Sequence, residues 1–306
     1  MSDSVQGEVF CVGLAIQDII MSVAEIPSQP VKIYARSRRE VGGGPAATAS
    51  VAIARLGGKA VFAGRLGEDA VGQTLREELS QEGVDTRWLK LFPGHHSPGS
   101  VILVDDHGER LIVAYADPNL PGDAAWLEPE SLGGAVLCDL SWPEGALKTL
   151  QSATSRGIPR VLDADISRHP RQQVAALVEA ADHVVFSRPG LMQFSGSEDM
   201  EEGLRWAARP GHRLVGVTDG AEGLHWLAEG GIANARPPLV AAVDTVGAGD
   251  AFHGALALAL ARSWPLERGI AFSNAVAALK CMMPGGRAGL PDAAALARFD
   301  PGFANT

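Results

Sequence analysis

Asp244-Thr245-Val246-Gly247-Ala248-Gly249-Asp250, running into Ala251-Phe252-His253-Gly254-Ala255, holds the clearest signal in the chain. A Gly-Ala-Gly turn opens a long apolar stretch, predicted as a buried helix over 251–262. Small residues let backbone N–H groups point at one place, and the first helical turn adds unpaired donors and the positive end of its dipole. Such a turn makes an anion hole suited to a phosphoryl group in transit. Asp250 stands at the mouth of the helix. A carboxylate there either accepts a proton from an attacking hydroxyl or serves as a simple N-terminal cap. No Gly-Lys-Ser/Thr follows, so this is not a Walker A loop. Its late position and the lack of Gly-x-Gly-x-x-Gly exclude a dinucleotide fingerprint.

Outward from this turn, strand-like runs alternate with helical ones, the pattern of a parallel sheet with helices on both faces. Strands are predicted at 9–13, 60–63, 135–140, 160–162, 183–186 and 214–218, and helices at 45–56, 72–82 and 266–282, with more helices between the later strands. Two segments, 19–41 and 99–116, carry alternating or β-branched runs without helical periodicity. In the second, Val101-Ile102-Leu103-Val104 and Arg110-Leu111-Ile112-Val113 flank Asp105-Asp106-His107-Gly108, which reads as a β-hairpin. The two segments are expected to form a small β-sheet outside the main domain; the alternative is edge hairpins of the main sheet.

The 306 residues suffice for one large α/β domain with a small appendage. A formal net charge of −10, with no long Lys/Arg run, argues against nucleic acid and anionic membranes as partners. Backbone amides still allow a local phosphate site. Cys11, Cys138 and Cys281 are scattered without metal-ligand spacing, and read as reduced thiols of a cytoplasmic protein. The N-terminus lacks an apolar signal core, and no apolar run reaches the length of a membrane span.

Four further places offer ligand contacts. Gly42-Gly43-Gly44-Pro45 opens a helix and allows close backbone approach. Thr218, Gly220 and Gly223 lie in Val217-Thr218-Asp219-Gly220-Ala221-Glu222-Gly223 after a predicted strand, where open α/β sheets bind ligands, or else form a hairpin turn. Asp18 follows the first strand, as a partner for sugar hydroxyls or as a surface loop residue. Arg287, in Pro284-Gly285-Gly286-Arg287-Ala288-Gly289, is set to meet an anion or a surface carboxylate. His95 and His96 receive no role.

The order and spacing of these segments resemble the ribokinase-like, or PfkB, sugar kinases over nearly the whole chain. The resemblance rests on Gly13-Leu14-Ala15-Ile16-Gln17-Asp18, the early Gly-Gly helix opening and the highly specific Asp244 to Asp250 motif. It implies a single domain over 1–306, a doubly wound, mostly parallel sheet flanked by helices, and a β-sheet lid from about 19–41 and 99–116. It further implies ATP and Mg²⁺, with a monovalent cation as an additional expectation, and a homodimer formed through the lids. Gly247, Ala248 and Gly249 would make the anion hole and Asp250 the general base. Asp18, Gly43 and Gly44 would touch the sugar, as would Lys32 and Arg287. Thr218, Gly220, Gly223, Thr245 and Asn274 would line the nucleotide site.

Within that family the chain is most similar to sulfofructose kinases, through 40–49, Phe186-Ser187-Arg188-Pro189-Gly190-Leu191, and 277–289. That likeness implies phosphorylation of the 1-hydroxyl of a ketose such as 6-deoxy-6-sulfofructose. Fructose 6-phosphate, 2-keto-3-deoxygluconate, ribose and nucleosides are the alternative acceptors, and a non-catalytic sugar or nucleotide sensor is the reading from another class. The chain departs from the common family pattern at Ala47 and at Ser187 to Gly190, where an Asn-x-x-Glu motif is absent and no metal ligands are assigned. It keeps Lys32 but has Ala114 and Ser141 where sulfonate-binding Asn and Arg are expected. A bidentate guanidinium contact is therefore missing.

Overall fold

The computed structural model describes residues 7–128 and 132–304. Its main sheet begins with β1 (Glu8–Val12), whose Phe10 and Val12 point to one face and Val9 and Cys11 to the other. Both faces are buried, so the strand reads as a continuous apolar run rather than an alternating one. The chain then leaves for β2 (Ile16–Ser22) and β3 (Ser37–Gly43) before α1 (Pro45–Arg55). Pro45 at the first helical position and Gly44 at φ 96° fix that helix start. β4 (Lys59–Gly67), α2 (Ala70–Gln81) and β5 (Asp85–Phe92) complete one wing. β6 (Gly99–Val104) and β7 (Arg110–Tyr115) return to the small sheet.

The other wing runs through β8 (Ala135–Asp139), α3 (Pro143–Ser155), β9 (Arg160–Ala164), α4 (Arg171–Ala180), β10 (His183–Ser187), α5 (Arg188–Ser195), α6 (Met200–Ala207) and β11 (Leu214–Thr218). An antiparallel edge, β12 (Leu224–Ala228) and β13 (Gly231–Ala235), follows. The chain ends in α7 (Ala248–Ala261), α8 (Leu266–Cys281) and α9 (Ala293–Phe299).

Among the described residues the main sheet has nine strands in the order β13-β12-β11-β10-β9-β8-β1-β4-β5, parallel from β11 through β5. Strand order reverses at β1, which lies between β8 and β4. A doubly wound sheet places its ligand crevice outside the carboxyl ends of the strands at such a switch point. One core joins α1, α2, α7, α8 and α9 to the sheet; the other joins α3 to α6 to its opposite face. Helix α7 is apolar nearly all round because α1, α8 and the sheet enclose it; Phe252, Leu256 and Leu258 are each 2% exposed or less. Burial of each such side chain contributes about 1.5–3 kcal/mol.

The small sheet has four strands in the order β3-β2-β6-β7. The expected hairpin is present, with Val104 paired to Arg110, and β2 joins β6 in parallel. The strands reach further toward the main domain than the segments 19–41 and 99–116 suggest, because β2 starts at Ile16 and β3 ends at Gly43. Three strands escape the sequence reading. β5 carries Asp85, Arg87 and Lys90 along an edge, and β12 and β13 are half-exposed. No helix among the described residues is long and apolar enough to cross a membrane.

Candidate active site

Gly247 sits at φ 80° as the N-cap of α7 and supplies no side chain to cap it. Only glycine takes this left-handed conformation without strain. The Ala248 N–H turns back to the Thr245 carbonyl at 3.2 Å, and Ala251 N–H reaches Gly247 O at 2.9 Å. Gly247, Gly249 and Asp250 N–H groups meet no acceptor among the described residues, and a side chain on Gly249 would face open space. The N–H groups left without an acceptor thus come from an uncapped helix end, and the Ala248 N–H is not one of them. Thr245 is exposed beside it.

Asp250 occupies the first turn of α7, half-buried at this opening, and its carboxylate receives no hydrogen bond from a described residue. It is no N-cap. Burial, then the neighbouring Asp163 charge, pushes the Asp250 carboxyl up to about 8. Asp163 at the end of β9 is itself held well above the ordinary range by burial and by Asp165 and Asp139. His253, one helical turn past Asp250, lies between them: its Nδ1 is 2.8 Å from the Gly249 carbonyl and 3.3 Å from Asp163 Oδ2, and its Nε2 is 3.2 Å from Val185 O.

The start of α1 is tied to the same sheet edge. Asp139, the last residue of β8, accepts from Leu14 N–H at 2.9 Å and from Ala46 N–H at 3.1 Å, and binds Ser141. A side chain at Gly13 would collide with this carboxylate. Above it, Asp18 on β2 accepts from Ser100 Oγ at 2.5 Å, and its Oδ2 presses on the site where a Gly43 side chain would stand. Burial raises the Asp18 carboxyl, partly opposed by Ser100 and Arg287.

Arg287 is 7% exposed, so it belongs to no surface pair. Its Nη2 donates to Gly43 O at 2.7 Å, and Nη1 lies 4.0 Å from Glu78. Its Nε and Nη1 hydrogens find no acceptor among the described residues. Asp250 and Asp18 both pull on its charge. The backbone at Gly42 runs so close to the guanidinium that a side chain would overlap it. Asp18, Gly43, Gly44 and Arg287 therefore stand together near the α7 opening.

Thr218, Gly220 and Gly223 form the β11–β12 turn, which is both a strand-end loop and a hairpin. Gly223, at φ 80°, packs against Ala235 O, the carbonyl that also accepts from Asn274 Nδ2 at 2.8 Å. These four residues form a second group at the sheet end. Lys32 is not brought to either group: it lies exposed in the β2–β3 loop with its ammonium 5.0 Å from the Tyr34 ring.

A cavity of about 630 Å³ opens at the switch point. Gly13, Leu14, Pro45, Asp139 and Asp163 are among the residues that line it, as are Arg65, Arg168 and His169. Arg65 stacks 4.8 Å from the Trp142 ring and donates to Pro121 O. The sequence reading assigned no role to Asp139, Asp163, His253 or Arg65. Val136-Leu137-Cys138-Asp139 and Val161-Leu162-Asp163 did carry a signal: an acid closing a buried strand at the ligand edge of the sheet.

The chain matches the model of the pfkB family carbohydrate kinase over residues 6–293. A fructokinase of Vibrio alginolyticus is 32% identical over 284 residues, 84% of this chain and 91% of its own length. A presumptive ribokinase from Agrobacterium tumefaciens has a structure that matches with TM-score 0.89 at 35% identity, covering 97% of both chains. A fructokinase variant from Vibrio cholerae, solved with fructose, ADP and a potassium ion, matches with TM-score 0.81 at 26% identity, covering 98% of this chain and 99% of its own. Through motif, sheet order and these likenesses, the chain belongs to the pfkB family of carbohydrate kinases.

Proposed function

We propose that this sugar kinase transfers the γ-phosphoryl group of ATP to a hydroxyl of a ketose or ketose derivative, in line and without a covalent enzyme intermediate. The observation that carries the reading is the uncapped α7 N-terminus, whose amides stand beside the Asp250 carboxylate, both without a partner among the described residues. The acceptor oxygen bonds to the γ-phosphorus as the bond to the bridging oxygen of ADP breaks. Its proton passes to Asp250, while the Gly247 and Gly249 amides, with Ala248 shaping the turn, hold the charge of the moving group. Thr218, Gly220, Gly223, Thr245 and Asn274 serve the nucleotide. Asp18, Gly43, Gly44 and Arg287 serve the sugar, and Lys32 joins them when the β2–β3 loop swings in. The small sheet acts as the lid that excludes water.

Mg²⁺ would neutralise phosphate charge during transfer. No group of three or more His, Cys, Asp or Glu suited to a metal stands together among the described residues. Where the Asn-x-x-Glu motif is absent, Ser187 instead caps α5 and donates to Asp165, and Arg188 pairs with Asp219 at 3.0 Å. The ion therefore fits best as cargo of the nucleotide phosphates. The Vibrio cholerae relative is solved with a potassium ion.

The acceptor we favour is the 1-hydroxyl of a ketose such as 6-deoxy-6-sulfofructose. Arg65 and Arg168 in the cavity wall offer cations for an anionic 6-substituent, in place of the groups replaced by Ala114 and Ser141. Fructose itself is the second reading, favoured by the likeness to fructokinases. We place the protein in the cytoplasm as a homodimer joined through its lids, because Leu111, Ile112, Val113 and Tyr115 leave β7 apolar and 45–63% exposed. ADP release with MgATP over sulfofructose, fructose 6-phosphate, fructose, ribose, 2-keto-3-deoxygluconate and adenosine tests the reading. Sulfofructose should turn over fastest; a neutral sugar in first place refutes the anionic acceptor, and no sugar-dependent ADP refutes the kinase assignment.

A further inference from the structure

Lys280 lies in the last turn of α8, and its side chain is 0% exposed. Its ammonium donates to the Asp244 carbonyl at 2.9 Å and to the Met283 carbonyl at 3.4 Å, and lies 4.0 Å from Asp244 Oδ2. A bare ammonium in such a place is strongly disfavoured unless it is paired and hydrogen-bonded. Here the compensation is made almost entirely of main-chain oxygen and one carboxylate, together with the negative end of the α8 dipole. Arg110 approaches the same carboxylate at 3.8 Å from the lid side.

The two carbonyls belong to the two loops that frame the candidate phosphoryl site. Asp244 opens the segment that ends in the Gly247 N-cap. Met283 precedes the loop that ends in buried Arg287. Around the ammonium these loops are stitched together: Asp244 Oδ2 accepts from Gly285 N–H at 2.8 Å, Asp244 Oδ1 from Val246 N–H at 2.9 Å, and Cys281 O from the amides of Val243 and Asp244 at 2.7 and 3.1 Å. Burial draws the Lys280 amine below its ordinary range while the Asp244 charge opposes it. A carboxylate held below its own ordinary range by the Val246 and Gly285 amides, Lys280 and Arg110, against the effect of burial, completes the pair.

We propose that Lys280 is a tethered monovalent cation: it fills an oxygen-lined cation site behind the anion hole, positions the Gly247 and Gly249 amides, and makes phosphoryl transfer independent of dissolved potassium. Lys280 touches no reacting atom in this account and is a positioning residue. The inference rests on the kinase reading for its effect on turnover, but the cation site itself is readable without catalysis.

The test uses the purified full chain in tetramethylammonium buffer, with KCl or NH₄Cl added at constant ionic strength. Turnover of the wild type should change less than about twofold on adding about 100 mM KCl. Lys280→Met should lower kcat about 10²-fold, the scale of a lost oxyanion donor, leave the sugar KM within about threefold, and regain at least about fivefold in kcat with NH₄Cl. Lys280→Gln, which keeps a neutral donor for the same carbonyls, should behave likewise and covers the case in which the Met variant does not fold. In parallel, the melting temperature of either variant should rise with KCl or NH₄Cl while that of the wild type stays constant. This second readout stands even if no sugar of the panel turns over, so a failed kinase assignment and a failed cation assignment remain separate results. A wild type activated several-fold by potassium, variants with wild-type turnover, or slow variants blind to every cation in both readouts would overturn the proposal.

Discussion

Asp250→Asn should stabilise the protein as pH rises, while removing its activity. The Asp250 carboxyl is lifted from 3.8 to about 8 by burial and then by Asp163. Below about pH 4 the residue is neutral in folded and unfolded chains alike, and wild type and variant should melt together. Between about pH 4 and 8 the folded chain keeps a proton that the unfolded chain has released, so wild-type stability falls with rising pH. Roughly four units at 1.36 kcal/mol each set a ceiling on the order of 6 kcal/mol. The carboxylate stands at an opening that water reaches, which reduces the realised difference to about 1–3 kcal/mol. At about 2–4 °C per kcal/mol, the variant should melt about 2–12 °C above the wild type at pH 8.5 and coincide with it at the acidic end. Differential scanning fluorimetry across pH 4.5 to 9 reads this directly. A gap that does not widen with pH, or a variant less stable than the wild type at pH 8.5, would refute the electrostatic picture of the site.

The same lifted carboxyl predicts that kcat/KM of the wild type rises with pH and levels off above about pH 8, because only the ionised form accepts a proton; a profile flat from pH 6 to 9 would contradict it. Arg287→Lys should raise the KM of an anionic sugar at least about tenfold and that of ATP far less, since a single ammonium cannot replace the guanidinium fork under Gly43; equal shifts in both constants would remove Arg287 from the sugar side. Gly13→Ala should cost about 2–4 kcal/mol in urea unfolding, as the new methyl displaces Asp139 from the Leu14 and Ala46 amides; a loss under about 0.5 kcal/mol would show that the capping contact is dispensable. In native protein a thiol reagent should titrate Cys281 alone, because Cys11 and Cys138 are fully buried and burial raises both thiols; modification of more than one thiol before unfolding would contradict that packing.

The strands from β8 to β11 were readable because each is an apolar run of about five residues closed by a polar or turn residue. β5 was not, because Asp85, Arg87 and Lys90 at a sheet edge break the period-2 pattern and resemble a surface loop as much as a strand. Helix α7 begins at Ala248, three residues before its apolar stretch, because Ala248 and Gly249 are already helical behind the Gly247 N-cap. A glycine-rich opening hides that in the sequence, yet it explains why the Asp250 amide is free. Asp18, Gly43 and Arg287 were legible as candidates from glycine and charge placement, but their meeting was not. It depends on β3 and the turn after α8 closing on one another across 244 residues. Lys280 illustrates the limit most clearly. A basic residue in the last turn of a helix usually lies in solvent against the dipole, and only the packing of two loops over it reveals a buried cation.

Sugar-dependent ADP release by the wild type and by Asp250→Asn, measured side by side at pH 8.5, decides whether Asp250 takes the proton. The wild type should turn over at least one sugar of the panel, with a kcat lower by about 10²–10⁴-fold in a variant that remains folded. Near-wild-type turnover in that variant would show that the proton goes elsewhere and would contradict the assignment of Asp250 as the base.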